Sequence, residues 1–228
     1  MNNLQIVGRY PEVFKDRYDA GRKLARELRR YKDKNTVVLS LPRGGVPVGF
    51  EIAQDLKVPM DVIISRKIGA PSNPEFGIGA IAEKETLILD EPTVELLGIR
   101  KTAISAIVEK EREELERRVK KYRLGTSLPS LKGKDVILVD DGLATGVTAL
   151  AAIKAIAKLN PNYVLFAIPV CAYDTTVMLR SSVDNLFCFS SPHDFKAVGL
   201  YYQNFDQTTD EEVVKLLKKS KTLHQKPH

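Results

Sequence analysis

The sequence predicts an α/β fold built on a doubly wound parallel sheet, and three observations predict it. Apolar runs rich in β-branched residues recur at 36–41, 61–65, 135–139, 163–170 and 185–189, as in strands covered on both faces. Segments of helical periodicity alternate with them, the order that makes a parallel sheet with crossover helices. Two of the runs end in short loops of small residues, and open parallel sheets bind ligands at the carboxyl ends of their strands.

Taken in order, residues 14–28 open the fold as an amphipathic helix. Tyr18, Gly21, Leu24, Ala25 and Leu28 share one face, and the remainder is basic and solvated. Arg17 on this helix could reach a ligand, but reads first as a surface ion-pair partner. The strand at 36–41 runs into Pro42-Arg-Gly-Gly-Val-Pro-Val-Gly49, and a helix continues over 50–56. Gly44 and Gly45 free their backbone N–H groups to face an anion, and Arg43 adds forked, charged donors. The strand at 61–65 ends in Arg66 and Lys67, a basic pair placed to meet phosphates. The Gly- and Pro-rich stretch 68–79 reads as a mobile loop, and 78–82 with 86–90 as a hairpin. Residues 99–123 form one long charged helix. Ile104, Ile107, Val108, Leu115, Val119 and Tyr122 mark its apolar stripe, and it shows no chemistry of its own. A strand at 163–170, a helix at 173–182 and a last strand at 185–189 complete the core.

The chain is organised around Asp135-Val-Ile-Leu-Val-Asp-Asp-Gly-Leu-Ala-Thr-Gly-Val-Thr148. A buried strand ends in two adjacent acids, Asp140 and Asp141. A loop of small residues follows, then an alanine-rich helix. The helix aims its positive end at the loop, which makes the loop an anion site. Gly142, Ala144 and Gly146 allow close backbone approach, and the Thr145 and Thr148 hydroxyls can donate to phosphate oxygens. Two acids beside a phosphate repel it unless a sugar diol or a Mg²⁺ ion lies between. Helix capping alone would need only one acid.

This string resembles the phosphoribosyl-pyrophosphate (PRPP) motif of the type I phosphoribosyltransferases. The whole chain is similar to a little-characterised bacterial and archaeal group of predicted members. The resemblance implies that Asp140 and Asp141 hold the ribose hydroxyls, directly or through a water-bridged metal contact. Gly142, Ala144, Thr145, Gly146 and Thr148 would then cradle the 5′-phosphate. Arg43, Gly44, Gly45, Arg66 and Lys67 would meet the pyrophosphate, with Arg43 and Lys67 assisting its departure. It further implies Mg²⁺ as cofactor, a homodimer, a flexible loop at 67–79 that closes over PRPP, and a hood from the chain termini that holds a nucleobase. In the tail, Phe195, Val198, Leu200, Tyr201, Tyr202 and Phe205 supply surfaces for a flat ring, with Val198 and Tyr201 the candidates for base contact. Hypoxanthine–guanine members carry an aspartate at the position of Ala144, so 6-oxopurines are disfavoured as acceptors. Val147 departs from the Gly or Ser usual at its position. The expected activity is transfer of the phosphoribosyl group of PRPP to a nucleobase or similar nitrogen acceptor. The alternative is a PRPP sensor that binds nucleic acid or a protein.

The 228 residues suit one domain, with a core over about 15–190, a helical insertion at about 99–124 and a tail from 191. In the tail a Thr-x-x-Glu capping box, Thr209 to Glu212, starts a final helix. No apolar run approaches a membrane span and the first residues do not read as a signal peptide, so a cytoplasmic protein is expected. Cys171 and Cys188 lie in apolar runs without metal-type spacing and read as small buried hydrophobes. A formal net charge of +6 suits an anionic small substrate. RNA-binding aromatic motifs and zinc fingers are missing, which disfavours nucleic acid as a partner. No Gly-x-Gly-x-x-Gly follows the first strand, which argues against a dinucleotide oxidoreductase.

Overall fold

The structure, a computed structural model, describes residues 4–6, 12–32 and 34–224. Its main sheet is parallel. In chain order its strands are β1 (Leu4–Ile6), β2 (Thr36–Ser40), β3 (Met60–Val62), then Asp135–Val139, Tyr163–Val170 and Asn185–Ser190. A second, antiparallel sheet is inserted after β3: β4 (Ser65–Ala70), β5 (Asn73–Ala82) and β6 (Thr86–Leu89). The remaining main-sheet strands are therefore β7 (Asp135–Val139), β8 (Tyr163–Val170) and β9 (Asn185–Ser190). The main sheet runs β1-β9-β8-β7-β2-β3.

Both faces of this sheet are covered, which is why its strands read as unbroken apolar runs rather than alternating ones. Val38, Ile137 and Leu165 point to the face covered by α1 (Arg17–Glu27), α2 (Gly45–Leu56) and a C-terminal helix at Asp210–His224, where Leu24, Ile52 and Val213 meet them. Val37, Leu39, Val136 and Leu138 point to the other face, packed by Ala151, Ala152 and Ile156 of a helix at Val147–Ala157. Cys171 and Cys188 are buried and unpaired by a disulfide, as expected. Helix α1 starts at Arg17 rather than at 14, because the Asp16 side chain caps it by accepting from the Asp19 N–H. Phe14 instead bridges to Tyr202: its N–H donates to the Tyr201 carbonyl at 2.8 Å. Helix α2 begins at Gly45, so the glycines expected in a loop form a helix N-terminus, and the Gly45 N–H expected to face an anion is instead taken by the Leu41 carbonyl at 3.1 Å. Strand β1 has no counterpart in the sequence pattern; it adds an edge beside β9.

The stretch expected as a mobile loop, 68–79, is instead most of the β4–β5 ladder. Its glycines serve close backbone approach rather than freedom. A Cβ on Gly69 would strike Pro74, and one on Gly79 would strike the backbone of Ile88. The register shifts at Ile68, Gly69 and Ala70 are the bulges that this crowding produces. The expected strand at 61–65 is correspondingly short, since the chain leaves the main sheet after Val62.

After α3 (Glu91–Leu96) comes the long helix, α4 (Lys101–Arg123), as expected. Its last residue is not a solvated charge. Arg123 is 2% exposed and donates to Glu83 at 2.6 and 2.8 Å, to Asp61 at 3.3 Å and to the Val62 carbonyl. The same Glu83 accepts the Ile64 N–H at 2.9 Å. One buried guanidinium thus joins the end of β3, the inserted sheet and α4. The helices after β7 are α5 (Val147–Ala157), α6 (Tyr173–Leu179) and α7 (Asp210–His224). The α7 start carries the expected cap: Thr209 Oγ1 accepts the Glu212 N–H at 3.1 Å. Among the described residues no helix is long and apolar enough to cross a membrane.

Replacing Arg123 by Met leaves Asp61 and Glu83 buried without their cation. Urea unfolding should show a loss of about 3 kcal/mol relative to the unmodified chain.

Candidate functional site

Strands β2 and β7 pair in parallel with Ser40 opposite Val139. From there the chain proceeds outward in opposite directions, β2 to β3 on one side and β7 to β8 and β9 on the other. This is the reversal of strand order at which open sheets leave a crevice. The loops at 41–45 and 140–146 emerge from it side by side. Leu41 N–H still donates to the Val139 carbonyl at 2.8 Å, one step beyond the ladder. The Pro42–Arg43 peptide is cis. A Cβ on Gly45 would lie 2.8 Å from the Val139 oxygen and 2.9 Å from Asp140 Cα, and one on Gly44 would strike the Asp141 carboxylate. Only glycine lets the two loops lie this close.

Asp140 Oδ1 accepts the N–H of Asp141 at 2.8 Å. Burial pushes the Asp140 carboxyl well above the usual range, and the neighbouring Asp141 charge adds to the rise. Asp141 Oδ2 accepts from Arg17 Nε at 2.7 Å, an ion pair whose side chains are 11% and 14% exposed. Its backbone carbonyl accepts the Tyr202 hydroxyl at 2.5 Å. Gly142 is covered by Val198, whose methyls fill the space of a Cβ.

The loop beyond the acids is tied down from behind. Leu143 N–H donates to the Val170 carbonyl at 2.9 Å, and Ala172 N–H returns to Leu143 O at 3.0 Å. The Thr175 hydroxyl donates to the Ala144 carbonyl. Gly146 caps α5 at φ +73°, a left-handed conformation open to glycine, and packs against Thr175 of α6. Ala144 and Thr145 are exposed. Among the described residues, no hydrogen bond takes the N–H groups of Thr145, Gly146, Val147 or Thr148, or the hydroxyls of Thr145 and Thr148. With the α5 dipole behind them, these donors are free to meet an anion. Val147 does not disturb it, since its side chain packs into the core under the sheet. A second helix N-terminus, that of α2, opens beside the first.

The other expected residues fall in two groups. Arg43 stays at the site, half-buried, with Asp210 Oδ1 3.7 Å from its Nη1. Arg66 and Lys67 lie on β4 and are engaged elsewhere: Arg66 with Glu111 of α4 at 2.7 Å, Lys67 with Glu75 of its own hairpin at 3.1 Å. Tyr201 faces inward. It is 8% exposed and stacks on Phe195 with centroids 5.6 Å apart. Phe205, by contrast, is exposed and lies under the Arg17 guanidinium, 3.9 Å from its centroid.

Four site residues take roles that the sequence reading did not assign. Arg17 forms an ion pair, as expected, but with Asp141 rather than at the surface. Tyr202 and Phe205, expected as surfaces for a flat ring, instead bond the Asp141 carbonyl and lie under Arg17, and Asp210 carried no signal beyond a helix start. Asp210 collects the Tyr122 hydroxyl at 2.6 Å, Lys121 at 2.9 Å and Arg43. Its partial burial opposes ionisation, but Tyr122 and Lys121 outweigh this and push its carboxyl down to about 2.

Among the described residues, no three His, Cys, Asp or Glu side chains gather as a ready-made metal site. The acid pair nevertheless fits a magnesium ion. Mg²⁺ is held by one or two carboxylates together with substrate phosphates and waters, and Asp140 Oδ2 and Asp141 Oδ1 make no hydrogen bond within the described protein.

A family model described as phosphoribosyl transferase domain matches residues 12–204. Two curated sequences from Mycobacterium tuberculosis, strains CDC 1551 / Oshkosh and H37Rv, carry provisional phosphoribosyl transferase names. Each is 41% identical over 206 residues, 90% of this chain and 46% of the relative. The chain thus spans about half the length of these curated relatives. The crystal structure of a Thermus thermophilus protein superimposes with a TM-score of 0.76 at 37% identity, over 91% of this chain and 98% of that one.

Two outcomes are expected. Gly45→Ala forces Val139 and Asp140 backbone apart, and denaturant unfolding should register a loss of about 2 kcal/mol. The contribution of ionised Asp210 is present above the ordinary carboxylate range and is lost as pH falls toward 2, because its folded-state value is depressed. Solvent reaches this cluster and screens part of the attraction. Between pH 5 and pH 2 the unmodified chain should therefore lose on the order of 1 kcal/mol more than Asp210→Asn, read by tyrosine near-ultraviolet dichroism in urea titrations.

Proposed function

This chain belongs to the phosphoribosyl transferase domain family, and from that membership we propose that it transfers the phosphoribosyl group of PRPP to a nitrogen acceptor with release of pyrophosphate. One observation carries this furthest. Two helix N-termini meet at the reversal point of the sheet, with two adjacent carboxylates between them. PRPP has the matching order of groups: a phosphate, a diol and a pyrophosphate.

The free N–H groups of 145–148 and the hydroxyls of Thr145 and Thr148 take the 5′-phosphate, with Gly142, Ala144 and Gly146 leaving room for it. Asp140 and Asp141 accept hydrogen bonds from the ribose hydroxyls, which fixes the anomeric carbon. Gly44 and Arg43 receive the pyrophosphate at the start of α2, where Gly45 lets the loop lie against β7. The bond from the anomeric carbon to the pyrophosphate oxygen breaks and its electron pair leaves on the pyrophosphate. The acceptor nitrogen forms the new bond and sheds its proton. Electrostatic stabilisation of the leaving charge, rather than covalent chemistry, falls to the protein. Mg²⁺, when bound, neutralises part of the pyrophosphate charge, and Asp140 and Asp141 are the residues that would hold it. Arg66 and Lys67 join the pyrophosphate once the β4–β5 hairpin exchanges Glu111 and Glu75 for it. Closure of that hairpin would also exclude water from the ribosyl cation.

The acceptor is proposed to be a nucleobase or similar heterocycle other than a 6-oxopurine, because exposed Ala144 offers no carboxylate to such a ring. Val198, packed on Gly142 beside the acids, and Phe205, under Arg17, are apolar surfaces that could receive it. Homodimer formation and a cytoplasmic setting belong to the same proposal, and light scattering reads the former.

Pyrophosphate release from PRPP and Mg²⁺ should require one member of a panel of adenine, uracil, orotate, xanthine, hypoxanthine and guanine. Asp140→Asn/Asp141→Asn should lower it at least about 100-fold, and chelating the metal should abolish it. Silence across the panel with PRPP still bound would assign a PRPP sensor instead.

A further inference from the structure

The family match ends at residue 204, and the next residues of the tail reach back to both cations of the site. Phe205 lies under the Arg17 guanidinium at 3.9 Å. The Asp206 carbonyl accepts from Arg17 Nη1 at 2.6 Å. Arg17 is thereby held on both of these sides, with its Nε hydrogen directed at Asp141 Oδ2 at 2.7 Å. Further along the tail, Asp210 opens α7 and stands 3.7 Å from Arg43 while Tyr122 and Lys121 of α4 hold it in place. Helix α7 itself is anchored in the core by Val213, Leu216 and Leu217.

We infer that Arg17, gripped by Phe205 and Asp206, is a positioning residue for Asp141, and that this stretch of tail completes the ribose-holding acid pair. The inference rests on the transferase proposal above. Its physical basis is that a carboxylate beside another carboxylate has no reason to keep one rotamer. Asp141 is fixed by a planar guanidinium that can donate from Nε and Nη1 at once, and lysine cannot reproduce that fork. One oxygen is committed to Arg17, and the other is left for a ribose hydroxyl. The aromatic ring beneath Arg17 removes the remaining freedom of its side chain at little entropic cost to the site. Asp210 does the equivalent for Arg43 on the pyrophosphate side, at longer range.

Ribose 5-phosphate and magnesium pyrophosphate separate the two halves of the site. Titration calorimetry on the full chain would follow each of them, and PRPP, with the unmodified protein, Arg17→Gln, Arg17→Lys and Phe205→Ala. Arg17→Gln should weaken ribose 5-phosphate and PRPP about tenfold while leaving pyrophosphate within about twofold. Arg17→Lys should restore only part of the loss, and Phe205→Ala should show about threefold weakening of the same two ligands. Equal affinities for all variants would overturn the inference. So would a uniform loss for all three ligands that tracks a lowered melting temperature, since that is a folding defect alone. If the unmodified chain binds neither PRPP nor pyrophosphate, the transferase proposal fails and this inference with it. If it binds both and the variants do not differ, only the inference fails.

Discussion

The contact on which the rest of this molecule depends is the approach of two backbones, β2 and β7, beyond the last rung of their ladder. Ser40 pairs with Val139, Leu41 still donates to Val139, and then Gly45 passes over the Val139 carbonyl with no room for a Cβ. The sheet winds outward from this pair in both directions, so nothing else can fill the crevice above it. Because the loops touch, the helices that follow them start at nearly the same place. The dipoles of both helices and the unpaired N–H groups of α5 therefore converge on one region of space, while the Gly45 and Val46 N–H groups of α2 donate to the Leu41 and Arg43 carbonyls. The acids Asp140 and Asp141 are delivered to that region by β7 itself, whose buried side chains fix its register.

Such a site is electrostatically uncomfortable. Burial and the neighbouring charge both push the Asp140 carboxyl upward. The fold supplies its compensation from far away in sequence. Arg17 comes from the first helix and Tyr202 from the tail, and the segment that brings Tyr202 is paired with the chain just before Arg17 through Phe14. The N- and C-terminal segments thus meet over the acids. The packing that joins them is aromatic: Phe14, Tyr202, Phe189 and Tyr201 with Phe195.

The central motif was legible because all its information is local: strand, acids, small loop and helix follow one another without interruption from Asp135 to Thr148, and each residue type has one physical use there. The main-sheet strands other than β1 were legible as continuous apolar runs, though their order was not. The inserted sheet was not. Gly69, Gly77, Gly79, Pro71 and Pro74 carry the composition of a mobile loop, and only the cross-strand partners reveal that glycine is used there for proximity. The partner of Arg17 was unreadable for a different reason. Its contact with Asp141 spans 124 positions of sequence, and α1 offers several other basic residues with the same local surroundings. In the tail the sequence showed aromatic enrichment but no direction. Tyr201 turns inward and Phe205 outward because the backbone from 198 to 201 makes a tight 3-10 turn.

The long helix shows how an element without reactive groups can still govern a site. Near its middle, Glu111 holds Arg66 of the hairpin; at its end, Tyr122 and Lys121 hold Asp210, which faces Arg43. Arg123, buried with Glu83 and Asp61, fixes that end to the inserted sheet and to β3. A buried ion pair of this kind adds little net stability compared with an apolar replacement of the whole cluster, because desolvation offsets the attraction. What it does add is geometry, since the guanidinium accepts only one arrangement of its partners. Moving the hairpin toward the crevice would require Arg66 to exchange Glu111 for another anion. Pyrophosphate would be such an anion, and α4 would then release one basic edge of the site while continuing to hold the other.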